Sequence, residues 1–362
     1  MSKINIGLIG AGGITRTAHF QALSKLTDEI RVTAVADVAY EAAKKLAEEC
    51  QAEHAFEDYR DLLQLKEVDA VLITVPNFLH AQVAIDAMKA GKHVLCEKPM
   101  AVNASEAERM VRIQQETGKT LMLALNNRFR RDVQYLKAYA EAGEFGEIYH
   151  AKCGWMRRVG IPGWGGWFTT MAQSGGGPLI DIGVHMLDLV LYTMGNPQPV
   201  SVVGSTYTKF GNNGQAGSRV WGIANPQGIY DVEDLATAFI RLENGATLTL
   251  DVSWAANIEK EKVFLNLIGT KGGASLENEK GVSIYTEKFA ILEDIHPQVR
   301  FDDKEARTEM WRHFLHCVRT GEQPITSPEQ GMMINKILDA IYESSQKGRE
   351  VLIATAESAI AK

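Results

Sequence analysis

Cysteine is scarce in this chain. Cys50, Cys96, Cys153 and Cys317 are the four in 362 residues, and no two of them form a C-x-x-C pair. That pattern excludes a disulfide-stapled scaffold and a cysteine-rich zinc site, and it leads us to expect a reduced cytoplasmic protein with no metal. No apolar run approaches the roughly 20 residues that span a bilayer. The opening stretch, MSKINIGLIG, holds a short apolar run that ends in glycines, so it reads as a buried strand and not a secretory signal. Positive charge is also in deficit. A formal net charge of −7 argues against nucleic acid or an anionic membrane as partner. Repeats, low-complexity tracts and long charge runs are missing too, so no disordered tail is expected. What remains is an ordinary globular composition, 45% apolar and 23% charged, over a length most simply divided into two domains.

Residues 4–9 form a continuous apolar strand that runs straight into Gly10-Ala11-Gly12-Gly13-Ile14-Thr15 and a helical stretch. Strand, glycine turn and helix together are the setting in which G-x-G-x-x-G signals a dinucleotide site: Gly10 for the tight turn, Gly12 for close approach to a pyrophosphate at the helix start. Thr15 stands where the third glycine would be, which leaves open a glycine-rich turn of another α/β protein. The second strand, residues 31–36, ends in Asp37. An acid there binds ribose hydroxyls and repels a 2′-phosphate, and Val38, Ala39 and Tyr40 supply no arginine to offset it, so NAD is expected over NADP. The alternative role for Asp37 is to cap the helix that follows. Strands over 69–75, 92–96 and 120–125 alternate with helices over 78–90 and 105–117. Such βα alternation predicts a doubly wound parallel sheet with its ligand at the carboxyl ends of the strands. Two strand ends carry polar clusters expected to face that crevice: Thr74-Val75-Pro76-Asn77 with His80, and Glu97-Lys98-Pro99.

Residues 175–195, GGGPLIDIGVHMLDLVLYTMG, read as a helix buried on nearly all sides. Asp181, His185, Asp188 and Tyr192 break the apolar rule at i, i+4, i+7 and i+11, one line on a helix. Two readings stand. The polar stripe is either a satisfied internal network or an acid/base dyad in which Asp181 orients His185. Just before this helix, residues 155–168 pack Trp155, Arg157, Arg158, Trp164 and Trp167 into a glycine- and proline-punctuated stretch. Aromatic faces and arginine donors suit sugar rings, so Arg157, Trp164 and Trp167 are candidates for substrate contact; a core plug or an oligomer interface is the other reading. Further on, Asn244-Gly245 between alternating runs signals a hairpin, followed by more strands, with Tyr230 and Asp231 as possible borders of the site. An antiparallel sheet with one free face is expected, and that face is a natural surface for a homodimer or homotetramer. Helices over 305–319 and 328–347 close the chain.

Taken together, the glycine turn, Asp37, Pro76-Asn77 with His80, Glu97-Lys98-Pro99 and the segment Gly176–His185 resemble the Gfo/Idh/MocA oxidoreductases over essentially the whole chain. The resemblance implies an N-terminal Rossmann domain (residues 1–125) and a C-terminal α/β domain with a large, open, mostly antiparallel sheet (126–362). It implies hydride transfer between NAD and a ring alcohol of a sugar, glycoside or cyclitol. Lys98, Asp181 and His185 match the family's catalytic positions: His185 exchanges the proton, Asp181 orients it and Lys98 polarises the oxygen. Arg128-Phe129 resembles the family's arginine–aromatic pair, which makes Arg128 a candidate substrate or cofactor contact. A cis peptide before Pro99 is also implied. Two other functions remain open at this stage: a redox-neutral, NAD-dependent glycosidase and a non-catalytic NAD or sugar sensor.

Overall fold

The computed structural model describes residues 2–211, 220–278, 280–299 and 303–353. The chain divides into two compact units, Met1–Arg130 with Asp302–Met332, and Arg131–Phe301 with Met333–Lys362.

The first unit is built on six strands: β1 (Ile4–Ile9), β2 (Ile30–Ala36), β3 (His54–Phe56), β4 (Ala70–Ile73), β5 (His93–Cys96) and β6 (Leu121–Leu123). All pairings are parallel, in the order β3-β2-β1-β4-β5-β6. β4 is buried at every position, as expected of a strand covered on both faces. The helices Asn77–Lys89 and Ala104–Thr117 fall where the apolar periodicity placed them, within a residue of the expected starts. Asn103 accepts from the Glu106 N–H at 2.9 Å, and Gly118 ends the second of these helices in the left-handed conformation. The core joins Ile6, Leu8, Val35, Leu72, Leu95 and Met122 to Trp311 and Phe314 of the helix Asp303–Thr320. A single boundary near residue 125 therefore does not describe this unit, because its core is completed by a segment from near the end of the chain.

The second unit carries a nine-stranded sheet. Its strands are β7 (Ile148–Met156), β9 (Pro199–Tyr207), β11 (Leu235–Leu242), β12 (Thr247–Ser253), β13 (Lys262–Gly269), β14 (Gly272–Glu277), β15 (Gly281–Lys288), β16 (Ile291–Ile295) and β17 (Val351–Leu352), while β8 (Ile161–Pro162) and β10 (Val220–Trp221) pair apart from it. The order is β16-β15-β14-β13-β7-β12-β11-β9-β17. Every pair is antiparallel except β7 with β12, where Cys153 lies beside Leu250 and Trp155 beside Val252. The Asn244-Gly245 hairpin forms between β11 and β12; Gly245 supplies the positive φ, and the Asn244 side chain accepts from the Ala246 N–H. Alternation is clear along β12: Leu248, Leu250 and Val252 are buried, while Thr247, Thr249 and Asp251 are half-exposed. The helix carrying the polar stripe packs on β7.

Candidate active site

In the first unit the glycine turn is drawn tight. Gly10 has φ +105°, and a Cβ there would collide with Thr74. A Cβ on Gly12 or Gly13 would meet no protein atom within 4 Å, so the backbone on that side is open to a ligand. Thr15, in the third glycine position, is buried; its hydroxyl donates to the Gly10 carbonyl at 2.9 Å and lies 2.7 Å from the Thr74 hydroxyl. A polar side chain thus does the work of close helix–strand packing. The Asp37 carboxylate accepts from the Ala11 N–H at 2.7 Å and the Ala39 N–H at 2.8 Å, tying the end of β2 to the turn and starting the next helix. Each oxygen keeps a second acceptor position for a ribose hydroxyl. Exposed Ile14, half-exposed Asp37 and this open turn fit a dinucleotide.

The strand-end clusters are held by buried contacts. His80 lies with Nδ1 2.7 Å from the Pro99 carbonyl and Nε2 2.9 Å from the Val75 carbonyl, fastening the two loops together. Burial lowers its pKa against the pull of those carbonyls. Asn77 is buried beside it, and Thr74 and Pro76 are partly exposed. The peptide before Pro99 is cis. Glu97 sits in a network of which no local sequence pattern is a sign. It accepts from His19 Nε2 at 2.9 Å, from Arg307 Nη1 at 3.3 Å and from the Lys98 N–H at 3.0 Å. Trp311 Nε1–H donates to His19 Nδ1 at 3.1 Å, which fixes the tautomer that donates to Glu97. Burial opposes ionisation of Glu97, but His19, Arg307 and Lys98 together hold its pKa well below the usual carboxylate range. Lys98 follows at a half-buried position. Arg128, expected at a ligand, is 1% exposed and donates from Nη1 to the Ile325 carbonyl and Gln330 Oε1. Its guanidinium braces the segment before the last helix.

In the second unit the polar stripe starts on a wider turn than a 3.6-residue helix. Leu179–Gly183 is π-helical and Val184–Thr193 α-helical, and such turns are frequent at functional positions. Asp181, His185 and Tyr192 keep partial exposure among buried neighbours, while Asp188 is buried. Asp181 Oδ2 accepts from Trp254 Nε1–H at 2.9 Å and lies 4.0 Å from Arg157 Nη1. The Trp155 ring stands 6.2 Å from the His185 ring. Arg157 is 8% exposed, its guanidinium sandwiched 4.7 Å from the Trp155 ring and 4.5 Å from the Trp221 ring, with Glu261 at 3.5 Å. Its charge is therefore directed at Asp181 and Glu261. Trp164 stacks on Tyr230 at 6.2 Å and donates to the Gly211 carbonyl; Trp167 stacks on Phe168 at 3.8 Å; both keep partial exposure. The Asp231 carboxylate accepts from the Met171 N–H. Thus Asp181, His185, Arg157, Trp155 and Trp254 form one cluster, with Trp164 and Trp167 in a stretch anchored separately. Trp254 carried no signal in the sequence beyond its apolar surroundings.

A parallel sheet with an open glycine turn is the arrangement of a dinucleotide-binding protein, and the chain also carries a partly exposed carboxylate and imidazole on a buried helix. The comparisons agree. Residues 4–125 match the oxidoreductase family with an NAD-binding Rossmann fold, and residues 133–275 the GFO/IDH/MocA C-terminal domain. The chain is 33% identical over 351 residues, 97% of each chain, to the D-glucoside 3-dehydrogenase of Escherichia coli K12. It is 25% identical over 350 residues, 96% of this chain and 98% of the relative, to the myo-inositol 2-dehydrogenase of Thermotoga maritima. A solved levoglucosan dehydrogenase in complex with NADH shares the fold at a TM-score of 0.86 and 24% identity, with 98% of this chain and 100% of that one covered. The chain belongs to the GFO/IDH/MocA oxidoreductase family and is an NAD-dependent dehydrogenase acting on CH–OH groups.

Proposed function

We propose that the enzyme oxidises a secondary ring hydroxyl of a sugar, glycoside or cyclitol. NAD, when bound, supplies the hydride acceptor. Gly10, Gly12, Gly13 and Ile14 would hold its pyrophosphate and Asp37 its adenosine ribose, with Thr74, Pro76, Asn77, His80, Glu97 and Lys98 shaping the strand-end crevice. His185 takes the hydroxyl proton on a ring nitrogen, Asp181 holds the imidazole in orientation, and Lys98 sets positive charge toward the developing oxyanion. The observation that carries this reading is the Asp181 carboxylate, kept partly exposed on a buried helix and gripped by the Trp254 indole at 2.9 Å. Trp164 and Trp167 offer aromatic faces for a sugar ring, whereas Arg157 acts through Asp181 and Arg128 through the fold. The half-exposed sheet face, with Phe239 and Phe264 on it, suits a homodimer or homotetramer. No helix among the described residues is long and apolar enough to cross a membrane. With four free cysteines, we place the enzyme in the cytoplasm.

The test is NADH formation with NAD against methyl glucosides, levoglucosan, sugar acids, aminosugars and inositols, repeated with NADP. Turnover confined to one neutral class with NAD is the expected result. Tight NAD binding with silence across the panel would sink the proposal.

A further inference from the structure

The helix that carries Asp181 and His185 begins with backbone donors it cannot satisfy itself. The Ile180 and Asp181 N–H groups donate back to the Gly177 carbonyl at 3.1 and 3.0 Å, and Pro178 has no N–H. That leaves the N–H groups of Gly177 and Leu179. Both donate to one buried carboxylate, Glu233, at 2.9 and 3.0 Å. Tyr342, from the helix Pro328–Lys347, donates its hydroxyl to the same carboxylate at 3.0 Å. The Gly176-Gly177 pair now has a physical reason: a Cβ on Gly176 would run into the Tyr342 hydroxyl, and one on Gly177 into the Glu233 carbonyl. The next residue along, Asp234, accepts the Trp254 N–H on its carbonyl at 3.0 Å, and the Trp254 indole in turn grips Asp181. Two adjacent residues, 233 and 234, therefore fix both the start of the helix and the donor that holds its carboxylate.

We infer that Glu233, steadied by Tyr342, is a positioning residue for the acid/base pair: it sets where Asp181 stands against Trp254, and so how His185 is presented. This rests on the proposed roles of Asp181 and His185. Burial pushes the Glu233 carboxyl up to about 7, against the pull of the Gly177 and Leu179 N–H groups and the Tyr342 hydroxyl.

The test uses the full chain with NAD and whichever of methyl β-D-glucopyranoside, levoglucosan and myo-inositol the parent oxidises fastest. Tyr342→Phe removes one donor, and Glu233→Gln keeps an acceptor but turns an amide toward a backbone N–H. We expect kcat to fall about 5-fold in Y342F and about 20-fold in E233Q, on the scale that sub-ångström misplacement produces. KM for NAD should stay within about twofold, since the cofactor residues are untouched. Glu233→Ala should be worse than E233Q when kcat is referred to folded enzyme counted by NAD binding, so the amide partly rescues kcat itself and not the amount of folded protein. If E233A does not fold, Y342F decides. A folded Y342F and E233Q with parental kcat overturn the inference. His185→Asn separates the two levels: if H185N turns over normally, or the parent is silent on all three compounds, the acid/base reading itself fails. If H185N is inactive while Y342F and E233Q are normal, only the positioning role fails.

Discussion

Replacing Glu97 by glutamine removes one negative charge from the centre of the first unit and leaves its shape. In the parent, His19, Arg307 and the Lys98 N–H all donate to that carboxylate, and the Arg307 side chain is 11% exposed. Breaking a buried pair from one side leaves the partner charge without compensation, which costs about 3–5 kcal/mol. An amide oxygen still accepts one bond, so the lower end, about 3 kcal/mol, is the expectation. At about 2–4 °C per kcal/mol for a unit of this size, the melting temperature should drop by about 6–12 °C. The pH dependence gives a second signature. The Glu97 carboxyl is held below its usual value of 4.5, so its stabilisation is complete above that value and is lost as pH falls through it. Glutamine does not titrate. The gap between parent and E97Q, read by urea unfolding, should therefore narrow on acidification from about pH 6 to pH 3. Arg307→Met placed on top of E97Q should recover part of the loss, because the stranded charge goes with it. A gap under about 1 kcal/mol at neutral pH, or one that widens in acid, would refute the account of this network.

Three further outcomes can be checked directly. Trp254→Phe deletes the indole donor to Asp181, a bond to a charged acceptor worth about 1.5–3 kcal/mol, so kcat should fall about 10- to 100-fold with NAD affinity unchanged; parental kcat would show that the contact is irrelevant to turnover. Asp37→Ser should raise the NADP-to-NAD ratio of kcat/KM by about tenfold or more, since a 2′-phosphate no longer meets a carboxylate; an unmoved ratio would place cofactor choice elsewhere. Arg128→Met should lower the melting temperature and leave KM for substrate near the parental value, because its Nη1 donates to two protein acceptors, the Ile325 carbonyl and Gln330 Oε1; a normal melt with a raised KM would return Arg128 to the ligand.

The first unit was legible because its information is local. Buried strands such as 70–73 are continuous apolar runs, the helices follow at 3.6-residue spacing, and the glycine turn lies within six residues. The short strand His54–Phe56 was not, since three half-buried residues make no pattern. Asp181 and His185 stood out because polar groups on an apolar helix are conspicuous. Their surroundings were hidden: Trp254 lies 73 residues from Asp181 in sequence, and Tyr342 lies 109 from Glu233. No local pattern encodes such pairings. Arg128 shows how a resemblance can leave a side chain's surroundings hidden. A basic residue at the end of a sheet suggests a ligand, but the two acceptors of its Nη1 lie 197 and 202 residues further on. The glycine pair at 176–177 is a local trace of a remote contact, but the pair is silent about which groups require it.

The helix Asp303–Thr320 gives the chain an unusual order of completion. Trp311 and Phe314 belong to the same core as Ile6, Leu8 and Leu95. Synthesis proceeds from the N-terminus, and domains generally fold as units when they have emerged. Here the cofactor-binding unit is begun first but cannot close its core until residue 315 has left the ribosome, after every strand of the second sheet except β17 has been made. A nascent chain stopped before that point exposes an apolar seat for Trp311, so the half that looks most independent in sequence is the half that waits for the rest.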